Sequence, residues 1–279
     1  MNIENINKVK IYQESWLMNI WMLIDSSISL LVYRNLIAAL DKLFLIWMIV
    51  FPVVYIFVVG YAYSALIGNQ GINLGASSVT YSSFLTAGMI GFNAMNGSSV
   101  AGNIVWNDKR NGMFQQLLVM PFSKVQYIIG NLITIILIGL ASAALIMIIG
   151  LPTILKDVSI TLWSIPYIVY ALVMGSIFFG SFTIILSTRI KSSEGYNVIS
   201  NGLFLFFAFV SSTFYPAQGL PGPLTFGFYL NPLTYIVDIS RAGLFSQVDA
   251  FTNIQVLIIT LLAATVFMIA VRSMVSMKL

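Results

Sequence analysis

The chain contains no cysteine and no histidine, and only 8% of its 279 residues are charged. Without cysteine there is no disulfide, thiolate metal site or sulfur nucleophile, and without histidine the commonest metal ligand and general base are missing too. The scarcity of charge excludes more. Soluble domains carry about 25% charged residues, whereas this chain is 59% hydrophobic with a mean hydropathy of +0.94, so water is not its main solvent. The thirteen Lys and Arg residues are scattered in ones and twos despite a formal charge of +4, which argues against nucleic acid as a partner. No G-x-x-x-x-G-K-[ST] run is present, so the chain does not cradle a nucleotide phosphate in that way. Acidic and polar residues interrupt the N-terminal apolar stretch, unlike a cleavable signal peptide, and no internal repeat is visible.

What the chain does have is six uncharged apolar stretches: Leu43–Leu66, Ser83–Trp106, Tyr127–Leu151, Leu162–Thr188, Asn197–Tyr215 and Asn253–Val271. Roughly 20 apolar residues cross a bilayer as a helix that satisfies its own backbone, so the expectation is an all-α integral membrane protein, one transmembrane domain over residues 1–279 with six spans. Pro52 predicts a break in the first span. If the N-terminus is cytoplasmic, eleven Lys and Arg fall inside and only Lys156 and Arg241 outside, the bias of the positive-inside rule. Both termini are then cytoplasmic in a multi-pass cell-membrane protein.

Residues 16–40 are apolar enough to imitate a seventh span. Asp25 at its centre would cost about 2.5–3.5 kcal/mol, and an odd span count would invert the charge bias. Leu17, Trp21, Ile24, Ile28 and Leu31 share one helical face, with Asn19, Asp25, Ser26, Ser29 and Tyr33 opposite, the pattern of an interfacial helix.

None of the six spans contains Asp, Glu, Lys, Arg or His. Proton relays and ion-coupled sites are built from such residues at membrane depth, as are intramembrane enzymes that need an activated nucleophile or a metal. Energy for uphill transport must then come from a partner. A docking place lies after the second span, in residues 107–121. Asn107 or Asp108 can cap a short helix there, Met113, Phe114, Leu117 and Leu118 share a face, and Pro121 stops it. Such a face suits a partner's groove or, equally, lipid headgroups.

This loop, with the later run Tyr215-Pro216, Leu220-Pro221, Asn231-Pro232-Leu233-Thr234, Asp238 and Arg241, resembles the membrane subunits of ABC-2 type exporters. The family pattern of charges, Gly, a Leu-Leu pair and Pro falls on Asp108, Lys109, Arg110, Gly112, Leu117, Leu118 and Pro121; where the family often has Glu, this chain has Gln115. The resemblance implies a permease that exports a drug, lipid or polysaccharide-like substrate by alternating access. It would pair with a second permease protomer and with ABC ATPase subunits. ATP and Mg would bind in those subunits, and this chain would have no catalytic residues, cofactor or metal. Residues 107–121 would be the coupling helix seated on the ATPase. Residues 215–252 would form extracellular re-entrant helices around Pro216, Pro221, Asn231, Pro232, Asp238 and Arg241. The alternative is a six-span channel or secondary transporter that does not use ATP.

Two further features bear on a pathway. Ala87, Gly91, Ala94, Ser98 and Gly102 form a small-residue stripe in the second span, accompanied by the amides of Asn93, Asn96 and Asn103. The stripe suits either close helix packing or a pathway wall. Phe204, Phe206, Phe207 and Phe209 crowd the fifth span and suit either lipid contact or an apolar substrate surface. Asn231, Asp238 and Arg241 read either as local caps and pairs or as substrate contacts.

Overall fold

The computed structural model describes residues 27–39, 46, 50–67, 71–74, 77–113, 116, 123–154, 164–217 and 220–276. Within them the elements run α1 (Ser27–Ala39), α2 (Val50–Leu66), β1 (Ile72–Leu74), β2 (Ser77–Val79), α3 (Tyr81–Arg110), α4 (Lys124–Ile154), α5 (Ser164–Arg189), α6 (Ser193–Phe209), α7 (Gly222–Leu230), α8 (Pro232–Leu244) and α9 (Ala250–Val275). Three of these are long and apolar enough to cross a membrane: Lys124–Pro152 of α4, α5, and α9. α3 is as long, at 30 residues, but is rich in Ser, Gly and Asn. It tolerates them because almost every side chain from Tyr81 to Trp106 is buried and α4, α5 and α8 surround it, so protein rather than lipid is its solvent.

The small-residue stripe is what lets the helices close around α3. A Cβ at Gly91 would sit 2.8 Å from the Cα of Val237 in α8, and one at Gly175 in α5 would sit 2.9 Å from Ala94 Cβ. Backbones can touch there only because no side chain intervenes. This is the packing reading of the stripe.

The described chain is all-helical as expected, apart from one short hairpin in which β1 and β2 pair antiparallel, with Ile72 opposite Val79. Both of these side chains are buried and give the hairpin one apolar face. Pro52 lies within α2, and a π-helical turn follows it over Tyr55–Gly60, a widening that can re-aim a helix. The fifth apolar stretch was expected to remain helical to Tyr215, but α6 ends at Phe209. The Asn231 Nδ2 amide donates to the carbonyls of Phe207 and Val210 at 2.7 and 2.6 Å, and the Ser211 hydroxyl donates to the Ala208 carbonyl. Side chains thus take the orphan carbonyls of the last turn in place of further helix.

In α1, Leu31, Asn35 and Ala39 form the buried stripe, while Ser29, Leu30, Tyr33 and Ile37 are exposed. A Cβ on Gly130 of α4 would sit 2.9 Å from Leu31 Cβ. The earlier part of the expected 16–40 helix lies outside the described residues.

Candidate functional site

Two polar clusters hold the ends of the bundle. At one end the C-termini of α3, α5 and α9 meet the N-terminus of α4, and the basic residues Lys109, Arg110, Lys124, Arg189 and Arg272 gather there. The expected cap at Asn107 or Asp108 is absent, because α3 continues through both to Arg110 and Asn111 N–H donates to Asn107 O at 2.9 Å. Nothing before Gly112 breaks the helix, and the cations of its last turn suit its negative end. Gly112 stops it with φ +69°, a left-handed turn that glycine adopts without strain.

Asp108, now on the last turn of α3, receives Arg34 Nη2 from α1 and the Tyr127 hydroxyl from α4, each at 2.6 Å. Arg34 also donates to Asn35 Oδ1 at 2.9 Å, and Asn35 Nδ2 donates to Asn131 Oδ1 of α4 at 2.7 Å. One carboxylate thereby ties three helices through charge-assisted bonds. Lys109 Nζ donates to the Thr188 carbonyl at the end of α5, and Lys124 Nζ to the Met274 and Val275 carbonyls at the end of α9. Each cation sits at a helix C-terminus, where its charge is favoured. Arg110 lies over the Trp106 ring, 5.6 Å from its centroid. Met113 is 38% exposed, and nothing lies within 4 Å of where a Cβ on Gly112 would be. The turn that ends α3 is therefore exposed at Asn111 and Met113. Phe114, Leu117, Leu118 and Pro121 lie outside the described residues.

At the opposite end α8, only 13 residues long, is buried on nearly every side by α3, α5 and α9. Pro221 and Pro232 start α7 and α8, where a missing N–H costs nothing. Asn231 Oδ1 caps α8 by accepting from Leu233 N–H at 2.9 Å while its amide closes α6. Pro216 lies outside regular structure in the α6–α7 connection.

Arg241, 5% exposed, donates from Nη1 to Ser212 O at 2.6 Å and from Nη2 to Thr213 O at 2.9 Å, and its guanidinium stacks 3.6 Å from the Phe84 ring centroid. Asp238 lies 3.6 Å from Arg241 and accepts from Ser212 Oγ at 2.6 Å and Gln255 Nε2 at 3.2 Å. Every one of these bonds goes to the chain's own backbone or side chains, which is the capping and pairing reading of Asn231, Asp238 and Arg241. The pair falls outside the six uncharged apolar stretches because α8, at 13 residues, is too short to register as a span.

The candidate pathway residues lie on two helices, Asn93 and Asn96 on α3 and Phe204 and Phe207 on α6. Asn93 is fully buried, its amide donating to Gly139 O and Ser142 Oγ of α4, and Asn96 is partly buried on α3. Phe204 and Phe207 pack edge-on against Phe179 of α5, at centroid distances of 6.2 and 5.6 Å. Phe206 and Phe209, by contrast, are 58% and 49% exposed, so α6 turns one aromatic pair inward and the other outward. Sequence reasoning also missed the Arg34–Asp108–Tyr127 tie. Its three members are far apart in the chain, and the only visible signal was a charge in each of two interhelical segments.

No curated protein matches the chain. The family model for the ABC-2 type transporter matches residues 26–245, a region that begins just before α1, ends just after α8 and includes Asp108, Lys109, Asp238 and Arg241. By that match over most of its length, together with its long apolar helices, the chain belongs to the ABC-2 type transporter family and is the membrane-embedded permease component of an ABC transporter.

Proposed function

We propose that this permease exports its substrate under the drive of a separate ABC ATPase docked on residues 107–121, as one of two protomers, each with six spans and with α7 and α8 as re-entrant helices at the outer end. The observation that carries this reading is the way α3 ends. Its last turn is bound to α1, α4 and α5 through Asp108 and Lys109, and α3 stops at Gly112 in a turn whose Asn111 and Met113 are exposed. A push on that turn would be carried along a rigid helix of about 45 Å at 1.5 Å per residue. The concentration of cations at this end supports a cytoplasmic assignment by the positive-inside rule, and burial of α8 by its neighbours is compatible with non-spanning backbone at membrane depth.

In this scheme, closure of the ATPase subunits moves the coupling segments and shifts the two-state balance of the spans. A pathway then opens between protomers, lined by Asn93 and Asn96 of α3 and by Phe204 and Phe207 of α6. An interior of phenylalanines and neutral amides favours drug-like or lipid substrates over sugar polymers. The test is co-purification of the cognate ATPase with a Leu117→Asp, Leu118→Asp variant, alongside vesicle transport with a hydrolysis-dead ATPase. Loss of the ATPase and of transport is expected. Retained association with normal transport would overturn the coupling assignment, and transport that ignores hydrolysis would favour a channel.

A further inference from the structure

A cavity of about 750 Å³ opens at the basic end between the last turn of α3 and the connection into α6, lined by Trp106, Lys109, Arg110, Lys191 and Glu194 among others. Three cations from two chain segments face a single carboxylate. Lys109 is held in place by its bond to the Thr188 carbonyl and Arg110 by its position over the Trp106 ring. Among the described residues neither Arg110 nor Lys191 has an ion-pair partner. The Ser192 hydroxyl is already used, accepting from Gly195 N–H at 3.2 Å, so charge here is supplied by side chains and not by a free helix end.

We propose that this cavity binds the phosphate of an anionic phospholipid headgroup. Charge complementarity selects an anion, and position selects a lipid. The cavity lies just past Arg189, where α5, a helix long and apolar enough to span a bilayer, ends. Trp106, largely buried, forms the back of the cavity beneath the Arg110 guanidinium. Basic hollows between spanning helices are the places where anionic headgroups seat, each Lys or Arg adding attraction that bulk zwitterionic lipid does not feel. The bidentate guanidinium of Arg110 would take two phosphate oxygens, Lys109 and Lys191 would supply point charges on either side, and Glu194 at the rim would accept from a headgroup hydroxyl or ammonium. The inference needs only that the spans end at this level, and does not depend on a docked ATPase.

Native mass spectrometry of the full chain in detergent, titrated with phosphatidylglycerol or phosphatidylcholine, tests it. Wild type is expected to retain one phosphatidylglycerol more tightly than any phosphatidylcholine. The Arg110→Gln, Lys191→Gln variant, checked for an unchanged thermal unfolding midpoint, should lose that preference by on the order of tenfold or more, from two removed cations. Inorganic phosphate at millimolar concentration separates the sources: no displacement supports a lipid site, and full displacement assigns the cavity to a soluble phosphate ligand instead. Undiminished phosphatidylglycerol preference in the variant overturns the proposal. So does a Lys191→Gln single variant that sheds the ATPase while keeping the lipid, an outcome that would make the cavity a protein-docking surface.

Discussion

At Gly102 there is no room for a methyl group. A Cβ there would land on the Tyr196 hydroxyl and lie 2.8 Å from Thr183 Cβ and 2.9 Å from the Thr183 carbonyl. A side chain could swing away, but the carbonyl belongs to α5 and cannot. Gly102→Ala should therefore destabilise by about 1–3 kcal/mol, the usual cost of overpacking, read as a lowered thermal midpoint in detergent. Tyr196→Phe in the same background should recover only part of that loss, and a midpoint equal to wild type would refute the close approach. A different residue reports on pH. Asp249 caps α9, its Oδ1 accepting from the Thr252 N–H and hydroxyl at 2.8 Å; the Thr252 backbone bond first, and then its side chain, hold the carboxyl below the usual carboxylate range. Because the folded value is depressed, the unfolded chain takes up the proton first. The contribution is therefore complete above about pH 4 and disappears as pH falls through the lower folded value. Asp249→Asn keeps the cap but removes the titration, so its unfolding midpoint should change less between pH 6 and pH 3 than that of wild type.

Short α8 shows how an element depends on a few side chains. Arg241 is its link to the α6–α7 connection and to α3: it closes the carbonyls of Ser212 and Thr213 and leans on Phe84. Removing the guanidinium in Arg241→Met would leave two carbonyls without their donor and Asp238 without its counter-charge. A buried pair broken on one side costs about 3–5 kcal/mol. Adding Asp238→Asn should restore part of the stability, since the stranded charge is then gone, and limited proteolysis between residues 210 and 231 would follow the same order. At this scale the sequence was readable where local rules decide. Prolines at the starts of α7 and α8, Asn231 as a cap, and the spacing of Asp238 and Arg241 were all visible. The end of α6 was not, because the bonds that stop it come from residues more than twenty positions further along. The hairpin after α2 was also missed, since two strands of three residues give no periodicity to detect. The continuation of α3 through Asp108 was missed because a good N-cap residue is equally at home in a helix whose tertiary bonds use its carboxylate.

At the level of the whole molecule, the bonds at the basic end decide whether α3 moves alone or with its neighbours. Asp108 joins it to α1 and α4, and Lys109 joins it to α5. If residues 107–121 receive the push of an ATPase, these bonds convert motion of one turn into motion of the bundle. In the Asp108→Asn, Lys109→Gln variant the apolar face offered to the ATPase is untouched, so complex formation and ATP hydrolysis should persist. Transport should fall by about tenfold or more, since each charge-assisted bond lost is worth about 1.5–3 kcal/mol and 1.4 kcal/mol is already a factor of ten. Hydrogen exchange should rise along residues 27–39 in the same variant, because Arg34 then loses its ion-pair partner. Hydrolysis and transport falling together would instead place Asp108 and Lys109 in direct contact with the ATPase. Unchanged transport would mean that the push reaches the spans by a route other than the end of α3.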